Sequence, residues 1–183
     1  MTQQTLIAAA PLFAALVWAA VQDLHSRRIP NVLTFGLILA GFAQSLVTTG
    51  TVSPSQSLLG FAAGFVLTFP PFAIGAIRGG DVKLIVGVGA WLGPWPVFAI
   101  FIAETVIGMI IVLAQALAQG RLKLLLRNTA VVGMNIAHLR DFGLDHVATT
   151  GNECRSVNRP LPYAVPVLLA TILVAYLTFS SGR

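Results

Sequence analysis

The sequence has very little charge. Of its 183 residues, 9% are Asp, Glu, Lys or Arg, where a soluble domain carries about a quarter. With 56% hydrophobic residues and a mean hydropathy of +0.86, too little polar surface exists to coat a soluble globule. A single cysteine, Cys154, excludes an intramolecular disulfide and has no CxxC companion for a zinc site. Met1-Thr2-Gln3-Gln4 supplies no basic side chain ahead of the first apolar block, and no small-residue cleavage pattern follows it. That block is therefore expected to be a retained helix rather than a secretory signal. The histidines, His25, His138 and His146, have no metal-ligand spacing on one helix, and Ser26 beside His25 lacks an orienting third group. Metallo-hydrolase and serine-hydrolase readings are weak on that ground, and no metal or cofactor is required. Net charge is +5, yet no aromatics interleave with the basic residues as a nucleic-acid surface would need, so no nucleic-acid partner is expected.

What is present is a series of long apolar blocks, at 5–21, 32–47, 57–77, 84–118 and 161–180. Blocks near 20 residues match the roughly 30 Å hydrocarbon layer of a bilayer. The fourth is too long for one crossing and contains Gly93-Pro94-Trp95-Pro96, a turn signal with aromatics suited to a membrane interface. Divided there, the chain is expected to be an all-α, polytopic membrane protein of about six transmembrane helices, one membrane domain over 1–183. The charges agree with that division. Segments 23–31, 78–83 and 119–160 then share one side, and they hold every basic residue except Arg183. Since cytoplasmic loops collect Lys and Arg, that side is expected to be the inside, with both termini outside. In the segment at about 119–160, Leu122, Leu124, Leu125 and Leu126 beside Arg121, Lys123 and Arg127 suggest an amphipathic helix lying on an anionic inner leaflet, which makes membrane lipids a partner.

Ionisable groups are expensive at membrane depth, so the six acidic residues are where function is sought. Asp141, Asp145 and Glu153 fall in the long inner segment and are read as solvated surface. Asp23 follows the first span and Asp81 precedes the fourth, so two whole helices separate them and both return to one membrane boundary. Residues 84–92 alone would rise only about 14 Å, so the fourth span is expected to begin near Gly79, with Asp81 in or just beneath the interface. Two carboxyl groups brought together in a poorly solvated site share a proton, one acting as base toward water and the other as acid toward a peptide carbonyl. The plainer role for each is an interfacial helix cap or an ion pair with Arg27, Arg28, Arg78 or Lys83. Glu104, about nine residues past the turn, is expected near mid-bilayer. It is either a hydrogen-bonded glutamate at a helix contact or an assistant in the site.

The local motifs sharpen this. The chain reads Asp23-Leu24-His25-Ser26-Arg27-Arg28-Ile29-Pro30-Asn31 and Gly79-Gly80-Asp81-Val82-Lys83-Leu84. Together these resemble the type IV prepilin peptidases, and more closely the short, peptidase-only members that serve tight-adherence (Flp-type) pili. In that family an aspartate before an R-x-I-P-N stretch and another in a GxGD motif are the catalytic pair, which maps onto Asp23 and Asp81. The first motif glycine is Arg78 here. The resemblance implies an aspartyl endopeptidase of the bacterial inner membrane that removes the leader from prepilin or pseudopilin precursors at the cytoplasmic face. It implies no methyl transfer, because the paired CxxC motifs of the larger bifunctional members are missing. Among supporting residues, Gly79 and Gly80 either leave the backbone open to a substrate strand or permit a tight helix start. Lys83, two residues from Asp81, mainly marks the inner face. Arg28 anchors that face with Arg27, and Pro30-Asn31 stops one helix and starts the next with Asn31 as its cap. Pro160-Leu161-Pro162-Tyr163-Ala164-Val165-Pro166 opens the last span, and a proline-containing stretch at a similar place in the family makes it a candidate lining of the cleft. A rival of another class is a small proton-coupled transporter or channel in which Asp23, Asp81 and Glu104 are relay residues. Oligomeric state is not legible.

Overall fold

Where lipid replaces water a backbone segment must satisfy its own polar groups, which favours helices. The computed structural model, which describes residues 3–47, 50–137 and 162–181, is all-helical across them. The helices are α1 (Gln3–Ser26), α2 (Asn31–Ser45), α3 (Pro54–Ala73), α4 (Gly79–Leu92), α5 (Pro94–Ala118), α6 (Leu122–Ala137) and α7 (Ala164–Ser181). By length and composition, Ala8–Ser26 of α1, α3 and α5 can each cross a bilayer, and α2 and α7 are shorter apolar helices. Their outer faces carry large apolar side chains such as Trp18, Leu39, Val66, Ile110 and Leu177, as expected of a polytopic membrane protein whose solvent is lipid.

The exception is α4. Its 14 residues rise only about 21 Å, less than the hydrocarbon thickness, and it is enclosed by α2, α3 and α5. Asp81, Val82 and every residue from Leu84 to Leu92 are buried. A helix that ends inside a bundle leaves carbonyls without intrahelical partners, and here other elements supply them. Ser57 Oγ donates to the Ala90 carbonyl at 2.6 Å, while Gln44 Nε2 (3.4 Å) and Thr51 Oγ1 donate to that of Trp91. Trp91 Nε1 in turn donates to the Leu37 carbonyl at 2.8 Å, so the C-terminal end of α4 is tied to α2, to α3 and to the turn between them.

The expected break in the long apolar block is present. Gly93 adopts φ +87 between α4 and α5, a left-handed conformation that residues with a Cβ avoid, and Pro94 occupies the first helical position of α5, where its missing N–H costs nothing. The crossing of α3 and α4 is set by Gly60 and Gly89, where a Cβ on either would collide with the carbonyl oxygen of the other. One turn along α3, a Cβ at Gly64 would approach Val86 Cα at 3.0 Å. Small residues that let two backbones touch are a common device for packing helices in membranes.

After α5, α6 follows the Gly120 turn (φ 64) and exposes Leu126 and Met134 together with Lys123 and Arg127. Cys154, His138, His146, Arg140, Asp141, Asp145, Glu153, Arg155 and Arg159, with Pro160, Leu161 and Arg183, lie outside the described residues.

Candidate active site

On α1 the buried positions Ala9, Leu12, Leu16, Ala19 and Ala20 recur every three or four residues, the stripe of an inward-facing helix. Asp23 continues that stripe, so the helix that packs the core also carries a carboxylate inward, 5% exposed. The helix runs on to Ser26, which places Asp23 inside it rather than after it. It stops because Arg27 takes a left-handed conformation (φ 53) and returns its N–H to the Asp23 carbonyl at 3.0 Å, a bond typical of a helix C-terminus.

Asp81 is the third residue of α4 and 7% exposed. Its Oδ2 accepts the Arg78 backbone N–H at 2.9 Å, the carboxylate half of a capping box, and the helix N-terminus favours negative charge there. Arg78, which stands where the GxGD motif has glycine, is extended (φ −97, ψ 161), a conformation open to any residue. Its guanidinium donates to the Arg27 carbonyl at 2.9 Å. One side chain thus fastens the residue after α1 to the residue before α4, and the two aspartates come within range of mutual repulsion.

A third carboxyl group joins them. Val97, Ile100 and Glu104 form the buried stripe of α5, and Glu104 is 4% exposed. Tyr163 Oη donates to Glu104 Oε1 at 2.6 Å, so the reading of a hydrogen-bonded glutamate at a helix contact fits its surroundings. Glu104 also lies within electrostatic range of Asp81. The next residue, Ala164, begins α7 and donates its N–H to Asp23 Oδ2 at 3.0 Å, where the positive end of that helix favours a carboxylate.

Two of these features were missed by sequence reasoning. The level of Glu104 was available: Asp81 is twelve residues before Gly93 and Glu104 eleven after it. At 1.5 Å per residue both stand about 16–18 Å from the turn. The contact with Tyr163 spans 59 positions and left no local signal beyond the proline-rich stretch in which that tyrosine sits.

The supporting residues are arranged as follows. Asn31 is not the cap of α2: Pro30 is, with φ −60 and ψ 132, and no side chain accepts a capping bond. A proline already locked near those angles provides the start of the helix, which frees the Asn31 side chain. Its Oδ1 accepts from Lys83 Nζ at 2.9 Å, and the same ammonium lies 4.7 Å over the Phe35 ring. Lys83 therefore does more than mark a face, since it joins α4 to the start of α2. Arg28 is exposed in the link between α1 and α2. A Cβ on Gly79 would come no closer than 3.8 Å to the Phe72 ring, and one on Gly80 no closer than 3.6 Å to Ile29. Packing among the described residues does not require glycine at either place.

An apolar groove of about 340 Å³ between α1 and α2 is lined by Pro11, Ala14, Trp18, Val32, Gly36 and Trp91 among others. None of the three carboxylates lines it.

Residues 10–113 match the model of the type IV leader peptidase family. That stretch contains Asp23, Asp81 and Glu104 and ends before Tyr163. The chain is 36% identical over 123 residues to the prepilin leader peptidase/N-methyltransferase of Bacillus subtilis (strain 168), covering 64% of this chain and 47% of the relative. It is 39% identical over 80 residues to the preflagellin peptidase of Methanocaldococcus jannaschii, covering 41% of this chain and 33% of the relative. To the preflagellin peptidase of Methanococcus voltae it is 35% identical over 79 residues, covering 41% and 34%. The chain thus spans about half of the first relative and about a third of the other two. No solved structure matches it.

Proposed function

Because the chain belongs to the type IV leader peptidase family, we propose that it is an intramembrane aspartyl endopeptidase that cleaves the leader from prepilin-like precursors, with Asp23 and Asp81 as the catalytic pair. The observation that carries this reading is the convergence of two buried carboxylates, from α1 and α4, at one end of the bundle. A water molecule between them would lose a proton to the ionised carboxylate as its oxygen attacks the scissile carbonyl, while the protonated partner donates to the carbonyl oxygen. Collapse of the tetrahedral adduct then breaks the C–N bond: the leaving amine takes the proton held by the base, and a hydroxyl proton of the adduct returns to the partner carboxylate, which restores the pair.

The charge distribution along the chain supports a site at the cytoplasmic face of a bacterial inner membrane. The motifs around both aspartates support a pilin or pseudopilin precursor of a tight-adherence system as substrate. Methyl transfer, the second activity in the name of the Bacillus relative, is no part of the proposal. The apolar body of the precursor would approach from the lipid and bring its leader junction to the aspartates.

The test is co-expression with a tagged reporter precursor, a short leader ending in glycine ahead of a hydrophobic helix of about 20 residues. Mass spectrometry is expected to show cleavage after that glycine. An intact reporter together with proton flux in vesicles containing the purified protein would favour the transporter reading instead. Gly80 provides a second check. Since no neighbour among the described residues excludes a Cβ there, Gly80→Ala is expected to leave stability unchanged or raise it by up to about 1 kcal/mol through helix propensity. It is nevertheless expected to slow cleavage, because the methyl group stands beside Asp81 where the substrate backbone would pass. Unchanged turnover would show that the glycine serves only the local backbone.

A further inference from the structure

Tyr163 and Ala164 are consecutive, and each holds a different acidic residue. The tyrosine hydroxyl is fixed on Glu104 of α5, and the alanine N–H is fixed on Asp23 of α1. A single peptide step therefore couples two helices that carry carboxylates, and Asp81 of α4 lies within electrostatic range of Asp23, of Glu104 and of Tyr163. A 2.6 Å bond from a hydroxyl to a carboxyl oxygen is at the short, strong end of the range, and glutamate is a costly residue to keep buried in an apolar helix. A role confined to packing α5 against α7 would be met more cheaply by an apolar side chain.

We propose that Glu104 and Tyr163 are a positioning pair for leader cleavage: by anchoring the start of α7 to α5, they aim the Ala164 N–H at Asp23 and so fix the orientation of that carboxylate toward Asp81. The inference rests on the peptidase reading above. Neither residue touches the scissile bond in this scheme. The pair acts through Asp23, one oxygen of which is held by the Ala164 N–H. What the pair requires of residue 104 is an acceptor oxygen, not a negative charge.

The experiment measures kcat and KM for the reporter precursor in detergent with the parent, Tyr163→Phe, Glu104→Leu and Glu104→Gln. Asp81→Asn serves as the blank, and thermal midpoints are recorded alongside. Misalignment of a reacting group by about 1 Å costs on the order of 100-fold. Tyr163→Phe and Glu104→Leu are therefore each expected to lower kcat by about 10- to 100-fold with KM within about twofold, while Glu104→Gln, which keeps the acceptor oxygen, restores most of the rate. Should Tyr163→Phe fail to accumulate, the contrast between Glu104→Leu and Glu104→Gln decides alone. Equal rates for the leucine variant and the parent would overturn the proposal. So would equal losses for leucine and glutamine, which would assign the role to the charge or proton of Glu104. A parent no faster than the Asp81→Asn blank would instead overturn the peptidase reading beneath it.

Discussion

Asp23→Asn and Asp81→Asn each insert into the membrane at the level of the parent, and each leaves the reporter precursor with its leader attached. Asparagine has the size and shape of aspartate, and its carbonyl oxygen can accept the same backbone donors: the Ala164 N–H at position 23 and the Arg78 N–H at position 81. The ends of α4 and α7 should therefore stay capped, a contribution of about 1 kcal/mol that alanine would forfeit. What the amide cannot do at neutral pH is take a proton from water or give one to a carbonyl oxygen. General acid–base catalysis is worth about 100- to 10,000-fold, so cleavage should fall by at least that range in either single variant. The double variant should be little worse than either single one, because two groups that act as a unit do not lose their effects additively. The check is the ratio of cut to uncut reporter by mass at matched amounts of inserted protein. Full processing by either variant would remove that aspartate from the mechanism.

The return of both aspartates to one end of the bundle was legible because it depends on parity, and their inward placement has its signal in periodicity. Asp23 is in phase with Leu12, Leu16 and Ala19, and an even number of helices brings the chain back to the same end before Asp81. The start of α4 at Gly79 and its end at Gly93 were also legible, the first from the rise that a short apolar run can supply and the second from Gly93-Pro94. The consequence of having both limits was harder to see. A helix of 14 residues does not reach across the hydrocarbon layer, so it becomes the enclosed centre of the bundle, and Glu104 comes within electrostatic range of Asp81. Asn31 shows a different obstacle. Asparagine before an apolar run reads as a cap, but Pro30 had already supplied the extended conformation that a cap position needs. The partner Lys83, 52 positions away, could be found only in three dimensions. Arg78 is similar, since a departure from a glycine motif looks like a defect until its guanidinium is seen on the Arg27 carbonyl.

The height of Asp81 depends on how closely α3 approaches α4, which gives the second large expected effect. Gly60→Ala or Gly89→Ala should destabilise the protein by about 3 kcal/mol or more, at or beyond the upper end of ordinary overpacking. The added methyl meets a backbone carbonyl, which has no rotamer by which to yield. The sign is informative because the same change usually helps a helix, alanine being favoured over glycine by up to about 1 kcal/mol. Gly36→Ala is the matched control, since a Cβ there meets nothing within 4 Å among the described residues, and its midpoint should equal or exceed that of the parent. Any Gly60→Ala or Gly89→Ala protein that does fold must hold α4 slightly off its seat. Because α4 brings Asp81 to Asp23, turnover per folded molecule should then fall as well, by up to about 100-fold for a displacement near 1 Å. Thermal midpoints in detergent and cleavage rates normalised to folded protein measure the two effects separately. A Gly89→Ala variant as stable as Gly36→Ala would show that the two backbones do not meet at this crossing, and the position of Asp81 would need another support.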